Sequence, residues 1–132
     1  MYQIAIDPGI TGTGWCVFVD GKPHSSGTIK PKGPTRTDKL TSLSNELRIF
    51  YCGLVDELGC YPSEVTLEEW QKHIPRFKLH SMLLCAESRG VIMAVTWEFT
   101  DKIKYLNKGT AKKEEADILA KQIGRASCRE RV

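Results

Sequence analysis

Two acidic residues stand where chemistry is easily built. Asp7 closes the apolar run Ile4-Ala5-Ile6 and precedes Pro8-Gly9, and Glu68 closes the apolar run Val65-Thr66-Leu67. A carboxylate at the carboxyl end of a central strand lies where open α/β sheets put their ligands. Its oxygens are hard donors, suited to a cation such as Mg²⁺ that keeps several waters. Asp-Pro-Gly is also ordinary turn chemistry, because an aspartate can bond the backbone two residues on. On the residues alone, Asp7 reads as a ligand or as a turn cap. Glu69 would face the other side of the strand and reads as a solvated or capping charge.

Two further stretches could handle phosphate. Gly9, Thr11, Gly12, Thr13 and Gly14 make a small, polar connection whose backbone could approach a phosphate closely. A flexible hairpin entry explains it equally well. Lys72, His73, Arg76, Lys78 and His80 crowd the segment after Glu68, with Trp70 and Phe77 between them. Cations that hold phosphate and rings that stack on bases suit a DNA-contacting loop. A solvated loop is the plainer alternative. His24 stands alone and is assigned no role.

These groups must be held by regular elements. Residues 2–6 read as a central strand, ended by Pro8, which has no ladder donor. Residues 15–19 and 24–29 read as strands joined at Asp20-Gly21, a strong hairpin signal. Leu40, Leu43, Leu47, Phe50, Leu54 and Leu58 recur every three or four residues, which predicts an amphipathic helix stopped by Gly59. Residues 64–68 form a short strand after Pro62. A second helix is expected over 79–97, with Leu83, Ala86, Gly90, Ala94 and Trp97 on a narrow face that packs on its own sheet by default. A strand over 102–106 and a helix from Ala111 complete the order βββαβαβα. Three meandering strands followed by alternating strands and helices predict a mixed sheet with helices packed on it.

The chain has 132 residues, 41% hydrophobic and 27% charged, with a formal charge of +3. That suits one soluble globular domain with a core of its own. No window reaches the ~18 apolar residues of a membrane span, so no membrane partner is expected. The start runs straight into a strand, without the look of a signal peptide. The cysteines, at 16, 52, 60, 85 and 128, form no CxxC pair. Their scatter predicts reduced thiols and a cytoplasmic location.

The motifs taken together resemble the RuvC family of Holliday-junction resolvases, which have the RNase H-like fold. The resemblance rests on Ile4-Ala5-Ile6-Asp7-Pro8-Gly9 and Val65-Thr66-Leu67-Glu68-Glu69 at this separation. The helix over 40–58, Arg89-Gly90-Val91 in the second helix, and Lys108-Gly109-Thr110-Ala111-Lys112-Lys113-Glu114 before a later helix add to it. It implies a truncated RNase H-like nuclease domain over 1–122 with a mixed five-stranded sheet. It implies a Mg²⁺-dependent endodeoxyribonuclease that cuts branched DNA in recombination and repair, using two metal ions. Asp7 and Glu68 match two of the family's four catalytic and metal-binding carboxylates. The other two are expected past Lys121. Asp117 comes too soon after Lys108-Gly109 to be one of them and reads as a helix-surface residue. With two carboxylates, this chain is expected to be inactive. Lys72, His73, Arg76, Lys78, Thr11 and Thr13 become candidate DNA contacts. A two-fold homodimer would suit a four-way junction with two strands to cut, and a phage or bacterial origin fits the resemblance.

Two other readings remain. Asp7 to Gly14 also resembles the phosphate loop of the actin-like ATPases and sugar kinases, which need two such domains and a longer chain. A catalytically silent DNA-binding module and a transposase-like nuclease are further alternatives. Residues 123–132 match one reading frame of a common short-read sequencing adapter and are expected to be non-native. With Arg125, Arg129, Arg131 and Glu130 set aside, most of the positive charge disappears, so net charge argues little about nucleic acid.

Overall fold

The structure, a computed structural model, describes residues 1–9, 11–68 and 79–106. The basic segment with Lys72, His73, Arg76 and Lys78 lies outside them, as do Asp117, the helix expected from Ala111, and residues 123–132.

Five strands and two helices follow the expected order: β1 Tyr2–Asp7, β2 Thr13–Val19, β3 Lys22–Ile29, α1 Arg36–Leu58, β4 Glu64–Glu68, α2 Leu79–Trp97 and β5 Ile103–Leu106. They build one mixed sheet of order β3-β2-β1-β4-β5. The first strand is central, antiparallel to β2 and parallel to β4. The hairpin at Asp20-Gly21 has φ of 50° and 78° at its two central residues, the left-handed pair that matches the twist of the flanking strands. Pro23 pairs with Phe18 in the edge strand β3, beside a register shift between Val17 and Phe18.

Alternation decides the faces. Tyr2, Ile4, Ile6, Val17, Val65 and Leu67 pack on one side of the sheet with Leu43, Leu47, Tyr51 and Leu54 of α1 and Ile92 and Val95 of α2. Ala5, Cys16 and Phe18 form a second buried cluster. They are set one residue out of step with the first along their strands, so they point to the opposite face.

Helix α1 starts four residues before Leu40. Thr35 caps it, its hydroxyl accepting from the Asp38 amide, while the Asp38 carboxylate accepts from the Thr35 amide. This reciprocal arrangement satisfies two donors that a helix start leaves open. Gly59 ends the helix at φ 75°, donating its amide to the Val55 carbonyl at 2.8 Å.

The packing of α2 corrects the sequence expectation. Ile92, Val95 and Thr96 are its buried residues. Ala86, Gly90 and Ala94 are exposed, and Leu83 and Trp97 keep 45% and 61% of their surface. The two stripes lie on opposite sides of a 3.6-residue period, and both are apolar. The β-branched stripe fills more of the space against α1 and wins the interior. Inside that contact the Tyr51 hydroxyl lies 2.8 Å from the Thr96 hydroxyl, which donates to the Ile92 carbonyl at 2.6 Å.

Candidate functional site

The strand directions gather the candidate residues at one end. Strands β1, β3 and β4 all run toward the same edge, since β2 is antiparallel to both β1 and β3. That edge therefore carries Asp7, Glu68, the β1–β2 connection, and the start of α1, which follows β3. The helix that follows β4 also begins on this side.

Asp7 and Glu68 share a face. The parallel register sets Ala5 beside Thr66 and Ile6 beside Leu67. One further step brings Asp7 level with Glu68. Paired residues of parallel strands point the same way, so both carboxylates project on the face of Ala5, away from α1 and α2. Asp7 is exposed and Glu68 half-buried. Gly14 pairs with Asp7, and a Cβ there would lie 3.9 Å from that of Asp7. Gly14 thus sets no side chain against Asp7 on that strand.

Arg89 of α2 fixes the end of β4 by donating from Nη1 to the Glu68 carbonyl at 2.6 Å. In the sequence, Arg89 marks only the second helix. Its tie to the backbone of Glu68 depends on a fold contact across 21 positions, for which no local pattern exists.

Two hard donors on adjacent strand ends are of the type that holds an octahedral ion such as Mg²⁺, which keeps several of its waters and takes one or two carboxylates. Among the described residues, no group of three or more His, Cys, Asp or Glu side chains lies within metal-binding reach of one another. The donor set for two cations is therefore not complete among these residues.

The two threonines of the Gly-rich connection separate. Thr11 is exposed, while Thr13 keeps only 1% of its surface. Thr13 opens β2, pairs with Ile29 and faces the helices, and its hydroxyl has no hydrogen-bond partner among the described residues. Its side chain is therefore not a surface contact for DNA, which corrects that expectation. Alternation explains it: two residues before Trp15, position 13 must share the inward face.

On the helix side of the same edge lies a cleft of about 240 Å³. Thr11, Arg36, Lys39 and Ser88 give it a polar rim, over a floor that includes Leu40 and Leu84. Arg36 donates through Nε to Glu87 at 2.8 Å and through Nη2 to the other carboxylate oxygen, joining α1 to α2. Arg36 and Lys39 were not singled out in the sequence, where they precede the periodic residues of the first helix.

Solved structures share this architecture. Thermus thermophilus RuvC aligns over 93% of this chain and 80% of its own, at 20% identity and a TM-score of 0.63. The same protein in complex with a Holliday junction substrate aligns over 93% of this chain and 78% of its own, at 16% identity and a TM-score of 0.64. No protein-family profile matches the chain, and no curated protein does. Among the described residues, no helix is long and apolar enough to cross a membrane. The mixed five-stranded sheet with its two helices is the RNase H-like fold, in the form found in RuvC.

Proposed function

We propose that this chain is part of a structure-selective endodeoxyribonuclease of the RuvC type, which acts on branched DNA with divalent metal, and that with Asp7 and Glu68 alone it binds DNA without cleaving it. The observation that carries the reading is the pair Asp7 and Glu68, on one face at the carboxyl ends of adjacent parallel strands. Phosphodiester hydrolysis needs an activated water and charge relief on the leaving oxygen. Two divalent ions about 3.5–4 Å apart supply both. Asp7 and Glu68 would hold the first ion, with the further carboxylates expected past Lys121. Lys72, His73, Arg76 and Lys78 would contact DNA beside Glu68, and Thr11 would do so from the β1–β2 connection. A location in the reducing cytoplasm accords with the free thiols of Cys52, Cys60 and Cys85.

The exposed stripe of α2 supports a two-fold dimer in this reading. Leu83, Ala86, Gly90, Ala94 and Trp97 offer an apolar surface with small residues at its centre, which lets two helices approach closely. Two copies would present two sites to a junction with two strands to cut. Sedimentation of wild type against Leu83→Glu/Trp97→Glu checks this, the variant being expected as a monomer.

Binding tests the main reading independently of turnover. Mn²⁺ should broaden the backbone amide signals beside Asp7 and Glu68, and Asp7→Asn should abolish that broadening without unfolding the chain. A four-way junction should bind more tightly than a duplex of equal length. Neutralising Lys72, Arg76 and Lys78 together should flatten the salt dependence of binding. Broadening that ignores Asp7→Asn, or equal affinity for junction and duplex, refutes the proposal.

A further inference from the structure

The cleft on the helix side of the sheet edge is not used by the carboxylate pair. Its walls are the β1–β2 connection, the first turns of α1 and the N-terminal half of α2, and its volume is about 240 Å³. Three features decide what it would hold. First, its charge is positive. Lys39 has no ion-pair partner among the described residues, and Lys30 and Lys32 stand exposed on the segment leading into α1. Asp38 is the nearest carboxylate in sequence, but it is committed to the helix cap through Thr35. The dipole of α1, a helix of 23 residues, adds positive potential at the same place. Second, the cleft offers hydroxyl donors, Thr11 on one wall and Ser88 on the other. Third, it is built. Arg36 and Glu87 clamp the two helices through paired hydrogen bonds, and the half-buried Leu40 and Leu84 and the buried Leu43 line the cleft with apolar surface. A cation beside such a surface attracts an anion more strongly than it would in open solvent.

We propose that the cleft between Thr11, Lys39 and Ser88 is a phosphate-binding subsite that seats a backbone phosphate of the nucleic acid outside the carboxylate pair. Lys39 supplies the charge, Thr11 and Ser88 supply hydrogen bonds, and Arg36 is a positioning residue whose pairing with Glu87 sets the width. The proposal rests on the nucleic-acid reading above and extends it. Thr11 belongs to the connection that leaves β1 directly after Asp7. A strand crossing the carboxylates on one side of this connection would meet the cleft on its other side. A free nucleotide phosphate has the same chemistry, and the experiment separates the two sources.

The test uses the whole chain and a fluorescent four-way junction, with anisotropy read between about 50 and 200 mM salt. Lys39→Gln should weaken binding several-fold and lower the slope of log affinity against log salt by about 0.9, one duplex phosphate contact. Lys22→Gln removes the same charge at the far end of the sheet and should leave the slope alone. Leu84→Trp fills the cleft without changing charge and should reproduce the Lys39→Gln affinity loss. In parallel, AMP is titrated while the amide signals of Thr11 and Ser88 are followed. Shifts abolished by Lys39→Gln, with an unchanged junction slope, would assign the subsite to free nucleotides and overturn the backbone-phosphate seat. An unchanged slope and unmoved signals, with circular dichroism intact, overturn the subsite altogether. A wild-type chain that binds no junction refutes the nuclease reading and the backbone-phosphate seat together, and the AMP titration then decides whether the cleft binds phosphate at all.

Discussion

Replacing Thr96 with valine should destabilise the protein more than replacing Tyr51 with phenylalanine, although both changes break the bond between the two side chains. Both residues keep 0% of their surface. The threonine hydroxyl has a single proton, and it goes to the Ile92 carbonyl at 2.6 Å. Tyr51 must then donate across the 2.8 Å contact. In Tyr51→Phe, the threonine keeps its own donation and loses only an incoming bond. The ring still stacks on Phe99 at a centroid distance of 4.7 Å. The expected loss is that of an ordinary buried bond, about 0.5–1.5 kcal/mol. In Thr96→Val, the shape is preserved, but a buried phenol is left with no acceptor, which costs roughly 1–3 kcal/mol. The double variant replaces both polar groups with apolar ones and should be less destabilised than Thr96→Val alone. Urea denaturation of the four proteins measures all three differences. Additivity of the two single changes within about 0.3 kcal/mol would refute the argument. So would a smaller loss for Thr96→Val than for Tyr51→Phe.

Burial also holds the Tyr51 phenol up at about 12 against its ordinary 10. The unfolded chain gives up this proton first, so stability should fall as pH rises from 10 to 12, by about 1.4 kcal/mol per pH unit from this group. Denaturation midpoints across that range should decline less steeply in Tyr51→Phe, with Tyr2, also raised to about 12 by burial, left to supply a residual slope. Thr13→Val removes a buried hydroxyl that has no partner among the described residues and should raise stability by about 1 kcal/mol, leaving junction affinity unchanged; weakened binding with the fold intact would return Thr13 to the DNA surface. Gly27→Ala would put a Cβ 2.6 Å from Cζ2 of Trp15, whose ring lies 4.5 Å from that of Phe50. The indole must move off α1, so a loss of about 1–3 kcal/mol is expected, together with a shift in tryptophan fluorescence.

Much of this architecture is legible in the residues because local chemistry and global packing agree. Leu43, Leu47 and Leu54 repeat with the helical period and are buried together. Asp20-Gly21 and Gly59 take the left-handed backbone their types favour. Asp7 and Glu68 end apolar runs, and the central place of β1 then puts them side by side. What was not legible depends on choices between equals. Helix α2 carries two apolar stripes, and only contact with α1 decides which one is inside. Thr11 and Thr13 differ by two residues in a polar run, yet the pleat of β2 begins between them. The cleft needed even more: two strand reversals and a parallel return bring the starts of both helices to one edge, and no window of sequence contains that fact.

The outer strand β3 has a consequence for how the protein behaves in concentrated solution. A border strand normally offers a row of free amides on which a foreign strand can dock and start an aggregate. Pro23 has no amide to offer, and the slip beside it between Val17 and Phe18 spoils the regular spacing a docking strand would need. Lys22, one residue earlier, adds charge where an incoming chain would have to begin. At the other border of the described sheet, β5 spans four residues and turns Lys104 outward to pair with Glu64. Fibril growth by edge addition thus finds a poor template on either flank. Neither border of the described sheet should therefore seed β-rich deposits as the protein is concentrated.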